Sequence, residues 1–352
     1  MMKKGSFLVL TAILMAVPAG CSLGGLGEKA NAGEGKGKQL EVSVANGSYI
    51  LTGEDDGVSE KDTGVLMVNF KVKNTSDKSL TISSMDGIKL YKGEEEMSPK
   101  KSVYSTDLGL EADMSGSIGA NKEKTIPVFF DVEKGEKYEI GISARTEDYK
   151  KTKEVTLKLD TEKYAESLDQ MEEPAKALTA YIETIYLDKE NPDFEKLVSA
   201  DKQALQEEAK TGFKDGLKLI VYNSLPEQEL VKHYTSYKSV LAQKAELKAE
   251  PKAFANDRAV VKLEYSTVPL RDSYDKMSDL EDEYREKTND YDTKKGQSYA
   301  MSKFPAVLNS LDVQPGRDPL EIKMMKKDGK WMVDSNDYNT ESLVDVFAKG
   351  SR

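Results

Sequence analysis

The spacing of the apolar residues changes once along the chain, near Asp160, and that change divides the fold into two units of different class. From Gln39 to Leu159 the period is two. Leu40, Val42 and Val44 alternate with Glu41 and Ser43, and in Val68-Asn69-Phe70-Lys71-Val72-Lys73-Asn74 the side chains of Phe70 and Val72 fall on one face, which is the pattern of half-buried strands. Asn74-Thr75-Ser76-Asp77-Lys78-Ser79 is a cluster of turn formers, and further strands are expected at 80–82, 88–91, 125–132, 137–142 and 155–159. Many short strands with turns between them, and no convincing amphipathic helix, predict an all-β sandwich. Pro127 inside its run points to an edge strand or a bulge.

Beyond Asp160 the period becomes 3.6. Tyr164, Leu168, Met171, Ala175, Leu178, Ile182 and Ile185 line one face of a helix, with Pro174 kinking it or opening its second half. Further helices are expected at about 200–222 and from 226, then strands at 245–249 and 261–267, then a long charged helix near 270–311. A hairpin follows. Asp328-Gly329 is the favoured pair for a two-residue type I′ turn, and pairing Lys327 with Lys330 sets Met324 opposite Val333, so that Ile322, Met324, Trp331 and Val333 share a face.

The N-terminus decides where the chain resides. Lys3 and Lys4 precede an apolar run over 7–17 and then Val17-Pro18-Ala19-Gly20-Cys21, the layout of a secretory signal. The run is shorter than the roughly 20 residues of a membrane helix. Ala19-Gly20-Cys21 resembles the lipobox of bacterial lipoproteins, which implies a diacylglycerol on Cys21 and a lipid-anchored protein on the outer face of a Gram-positive cytoplasmic membrane. Cys21 is the only cysteine, so the folded part depends on packing without disulfides. Residues 22–38 are glycine-rich and read as a flexible tether with an r.m.s. span of roughly 23 Å.

Two further resemblances rest on short stretches. Residues 39–160 resemble the immunoglobulin-like extracellular domain of Gram-positive lipoproteins, on the run from Val68 to Ser76 and on Pro127-Val128-Phe129-Phe130-Asp131-Val132. Residues 161–352 resemble the cone-shaped nuclear-transport-factor-2-like fold of a lipoprotein C-terminal domain, on element order and the final hairpin. The expected organisation is therefore multidomain. It consists of a signal peptide (1–20), the lipidated cysteine and tether (21–38), an immunoglobulin-like sandwich (39–160) and an α+β domain of helices on a curved antiparallel sheet (161–352).

Charge and chemistry narrow the function. The formal net charge is −11, and two units lower once Lys3 and Lys4 leave with the signal, which excludes nucleic acid and predicts a body that stands off anionic lipid. His233 is the sole histidine and no Gly-x-Ser-x-Gly elbow exists, so a structural role is expected for it; zinc lacks its preferred ligands and no cofactor is called for. The glycine-rich stretch 33–38 lacks the strand, helix and hydroxyl of a phosphate loop. Glu54-Asp55-Asp56 and the run 334–341 hold oxygen ligands without the twelve-residue calcium pattern; the second reads as a helix start capped by Asn339. Tyr274, Tyr284 and Tyr291 lie on a tyrosine-rich stripe that either receives a partner or packs on its own domain. Tyr265, Met324 and Trp331 mark an alternative small-molecule pocket. The expected function is that of a binding module for a protein or envelope-polymer partner, with a small-molecule binder and then a cell-wall enzyme as the alternatives.

Overall fold

The computed structural model describes residues 34–351, apart from 54–61, 85, 101–102, 104 and 111–114. Cys21, the stretch 22–33 and Glu54-Asp55-Asp56 lie outside the described residues. Eleven strands come first: β1 (Glu34–Lys36), β2 (Leu40–Ile50), β3 (Thr63–Asn74), β4 (Leu80–Ser83), β5 (Ile88–Lys92), β6 (Glu95–Met97), β7 (Ser115–Ile118), β8 (Glu123–Glu133), β9 (Lys137–Ile142), β10 (Arg145–Thr146) and β11 (Val155–Asp160). They form three antiparallel sheets in the orders β1-β2-β3-β8, β10-β4-β7 and β11-β9-β5-β6. Their apolar faces share one core, to which Val42, Phe70, Leu80, Ile118, Leu90 and Ile140 all belong. Pro127 sits on β8, an edge strand, where its missing N–H interrupts no second ladder.

The tether expected to reach Lys38 ends earlier. Glu34, Gly35 and Lys36 pair with Ser43, Val42 and Glu41, making an edge strand of the first sheet. A Cβ on Gly35 would come within 2.4 Å of Val155 Cγ1, so the glycine that reads as linker is what lets β1 lie against β11.

The C-terminal half contains α1 (Glu166–Gln170), α2 (Glu173–Ile185), α3 (Pro192–Leu197), α4 (Lys202–Leu217), α5 (Glu227–Lys244), β12 (Leu247–Ala255), β13 (Arg258–Thr267), α6 (Tyr274–Thr288), α7 (Thr293–Asn309), β14 (Gln314–Pro315), β15 (Leu320–Lys327), β16 (Lys330–Val333) and α8 (Tyr338–Phe347). Its sheet is antiparallel in the order β12-β13-β15-β16, with β14 on β13, and α2 packs on β12 and β13. The hairpin has the expected register, Lys327 opposite Lys330 and Met324 opposite Val333. Asp328 (φ 51) and Gly329 (φ 80) are both left-handed, as a type I′ turn requires.

Two helices differ from expectation. Of the two roles expected for Pro174 it takes the second, opening α2 from its first turn, where a missing N–H is tolerated, so that the stripe from Tyr164 to Ile185 is not one helix. Tyr164 belongs to the sandwich core, with Leu168 packed against it. The long helix near 270–311 is two helices. α6 ends at Asn289 in the left-handed conformation (φ 52), and Asp292 caps α7 by accepting from the backbone N–H of Lys294.

The two halves meet strand to strand. Leu51 and Phe254 exchange backbone hydrogen bonds of 2.9 and 2.8 Å. Around this bridge Ile50, Met67, Leu108 and Phe129 share a buried apolar cluster with Ala253, Ala255 and Val260. Lys323 adds an ion pair to Asp107 at 3.0 Å.

Candidate functional site

The expected pocket at Tyr265, Met324 and Trp331 is packed core. Trp331 is 0% and Met324 1% exposed. The Trp331 ring lies 6.0 Å from Phe254, its Nε1–H donates to Glu173 at 3.3 Å, and Lys326 stands 5.4 Å above it while pairing with Glu173 at 2.7 Å. The Tyr265 ring packs on Phe347 at 5.7 Å. Aromatic bulk, which in the sequence is compatible with a stacking platform, here fills the space between sheet and helices.

Nor do Tyr274, Tyr284 and Tyr291 form one face. Tyr284 lies half-buried between α6 and α7, 5.7 Å from the Tyr299 ring and donating to Asp290 at 3.3 Å. Tyr291 is exposed on the connecting segment, and Met277, between Tyr274 and Tyr284 on α6, is buried in the core. Only Tyr274 joins an exposed cluster. Its hydroxyl shares a 3.2 Å hydrogen bond with Tyr222, which lifts the Tyr222 hydroxyl above its usual range.

His233 is buried, with the Phe304 ring edge-on at 5.4 Å and no partner for Nδ1. Desolvation, reinforced by Lys232, depresses its pKa. A depressed folded-state value means that the unfolded chain takes up the proton first, so stability falls as pH drops below about 6.5 and the loss saturates below the folded pKa. As the sole imidazole, it gives a single NMR titration, whose midpoint is expected below 6.5; a midpoint at or above that value would contradict its burial. In the run 334–341 the cap is Asp337, not Asn339. Asp337 accepts from the Asn339 N–H at 3.0 Å and pairs with Lys323 at 3.1 Å, so its oxygens are engaged. Among the described residues no group of three metal-ligating side chains converges.

The arrangement that sequence reasoning missed is a cleft of about 360 Å³ lined by Leu219, Pro269, Arg271, Asp272, Arg317, Gly350 and Ser351. Buried neighbours set its side chains. Ile220 and Val221 turn into the core after α4, which leaves Leu219 and Tyr222 outside at 62% and 78% exposure. Leu270 and Ser273 are buried in the turn before α6, leaving Arg271 outward. Gly350, at φ 60, accepts from the Leu270 N–H at 3.0 Å; a Cβ there would lie 2.7 Å from that nitrogen, so only glycine closes the chain end on this turn. A Cβ on Gly316 would strike the Tyr265 ring at 2.5 Å, and this close approach brings Arg317 to the cleft.

Among the described residues neither Arg271 nor Arg317 is in an ion pair, whereas Arg285 pairs with Asp282 at 2.7 Å. Two guanidinium groups beside Leu219 and Pro269, with the hydrogen-bonded pair Tyr222 and Tyr274 following these lining residues in the chain, suit a carboxylate next to an apolar side chain. A larger hollow of about 760 Å³ lies on the sandwich, but its apolar wall, Tyr138 and Leu159, is already covered in the core, and its lysines are interspersed with Glu139 and Asp160.

Comparison with known proteins follows the same division. Residues 164–348 match a family described as a domain of unknown function (DUF5105), and residues 33–154 match another (DUF4352). Over 99% of both chains the sequence is 30% identical to "Uncharacterized lipoprotein YcdA" of Bacillus subtilis strain 168. The crystal structure of the ycdA lipoprotein superposes with a TM-score of 0.66 at 26% identity, covering 89% of this chain and 98% of that one. The yjhA protein of Bacillus subtilis gives a TM-score of 0.23 at 18% identity over 31% of this chain and 76% of its own, too low to inform the fold. The whole-length likeness to a lipoprotein agrees with the N-terminal reading and makes this an extracytoplasmic, membrane-anchored lipoprotein. This chain belongs to the DUF5105 family.

Proposed function

We propose that the chain, held by lipid on Cys21 at the outer face of a Gram-positive cytoplasmic membrane, is a non-enzymatic binding module for a protein of the envelope. In this reading the sandwich is of the immunoglobulin-like class and the C-terminal half is a filled nuclear-transport-factor-2-like cone that binds through its surface. The observation that carries the proposal is the cleft holding Arg271 and Arg317, with Leu219, Tyr222 and Tyr274 exposed close by. Arginine and tyrosine dominate binding energy at protein interfaces because they combine large contact area with directional hydrogen bonds. The partner it fits presents a carboxylate beside an apolar side chain.

The test is photo-crosslinking in intact cells with a benzophenone side chain placed at Tyr222 or Tyr274, and at Tyr338 as a control at least as exposed as either (79%). A discrete higher-mass adduct from positions 222 and 274, absent from 338, is expected. Adducts identical at all three positions, or none at 222 and 274, would sink the proposal.

A further inference from the structure

The sandwich has two unlike ends. At one, the Ile50 end of β2, it meets the C-terminal half. At the other, roughly 33 Å away by strand rise, four turns cluster: 37–39, 75–79, 119–122 and 147–150. Backbone bonds tie the first three together, Thr75 N–H to Gln39 at 2.9 Å and Asn74 N–H to Lys122 at 2.9 Å. The fourth extends in the same direction, because β10 runs antiparallel to β4 with Thr146 opposite Leu80.

This end is basic in an acidic chain. Across 34–41, 71–79, 116–124 and 145–154 there are eleven basic and seven acidic side chains, whereas the whole chain has 51 and 62. Lys38, Lys78 and Lys122 are exposed and, among the described residues, in no ion pair. Tyr149, on the fourth turn, is 81% exposed and held at φ 62. Lysines with an outward tyrosine are the side chains favoured at a membrane surface.

The chain length lets the same end reach the lipid. Residues 22–33 separate Cys21 from Glu34, and whatever their conformation they span at most about 45 Å. Glu34 pairs with Ser43, roughly 10 Å behind the turns. We infer that this end of the sandwich docks on the anionic headgroups of the anchoring bilayer, with Lys38, Lys78 and Lys122 at the lipid phosphates and Tyr149 at the interface. The C-terminal half then stands beyond the sandwich. The expectation that the whole body stands off anionic lipid, drawn from net charge, gives way to a polar molecule with one membrane-seeking end.

The experiment is co-flotation of the whole mature sequence from Ser22 onward, without its acyl group, with vesicles containing one-third phosphatidylglycerol. Salt-sensitive binding is expected, and it should be absent with pure phosphatidylcholine. The combined Lys38→Glu, Lys78→Glu and Lys122→Glu changes should weaken binding at least about 100-fold, about fivefold for each lysine charge lost, with an unchanged thermal melt of the sandwich by circular dichroism confirming the fold. No binding to the anionic vesicles at low salt, or binding that survives the triple reversal, would overturn the inference.

Discussion

Replacing Trp331 by alanine is expected to destabilise the C-terminal half by about 3–5 kcal/mol, since it empties the most voluminous fully buried site in the chain. The loss is more than apolar volume. Glu173 loses the indole N–H and Lys326 loses the ring beneath it, leaving that ion pair to cover the hole alone. Trp331→Phe, which keeps a ring against Phe254, should cost less. Urea unfolding followed by circular dichroism measures both, because the mutation removes the only tryptophan fluorophore. A cost under about 1 kcal/mol for the alanine variant would show that the hairpin face is open rather than packed.

Asn74→Ala should cost the sandwich about 3 kcal/mol, because that side chain joins two of its turns, 75–79 and 119–122. Asn74 is 0% exposed, and its Nδ2 donates to the carbonyls of Lys78, Ile118 and Gly119 at 2.7, 2.9 and 3.1 Å. Its Oδ1 accepts from the backbone and hydroxyl of Ser76 at 2.9 and 2.7 Å. Truncation removes the amide donor from the carbonyls of Ile118 and Gly119 and leaves Lys78 only the Ser76 hydroxyl. Asn74→Asp is expected to be worse, since it keeps the shape but turns a carboxylate toward those carbonyls. Thermal unfolding gives the magnitude, and amide exchange should accelerate first in 75–79 and 119–122. A sandwich that melts at the wild-type temperature with either substitution would contradict this role.

Local chemistry made some of this readable. Alternation placed Phe70 and Val72 on the core side of β3, and Asp328-Gly329 set the final register, because strand faces and two-residue turns depend on neighbours in sequence. Where the sequence misled, a distant partner decided. Gly35 reads as linker until Val155 lies against it. The break at Asn289 falls in Thr288-Asn289-Asp290, a short run of turn formers inside the stretch whose charges read as one long helix. Glu281 and Glu283 pair with Arg285 and Lys287 within α6, so the charge spacing is helical there but does not cross Asn289. Trp331 carries no local sign of whether its face is covered. Arg271 and Arg317 are the clearest case, since the close approaches at Gly316 and Gly350 that shape their cleft involve residues far away in the chain.

The most direct measurement is the yield of the Tyr274 photo-adduct in cells that carry Arg271→Glu and Arg317→Glu together. Both arginines are exposed, so the double reversal should leave folding and anchoring intact, as the amount of membrane-bound protein would confirm. If the guanidinium groups and the tyrosine pair form one binding site, the adduct disappears. An undiminished adduct of the same mass would show that the partner is held elsewhere, and would contradict the account of this cleft as the site of recognition.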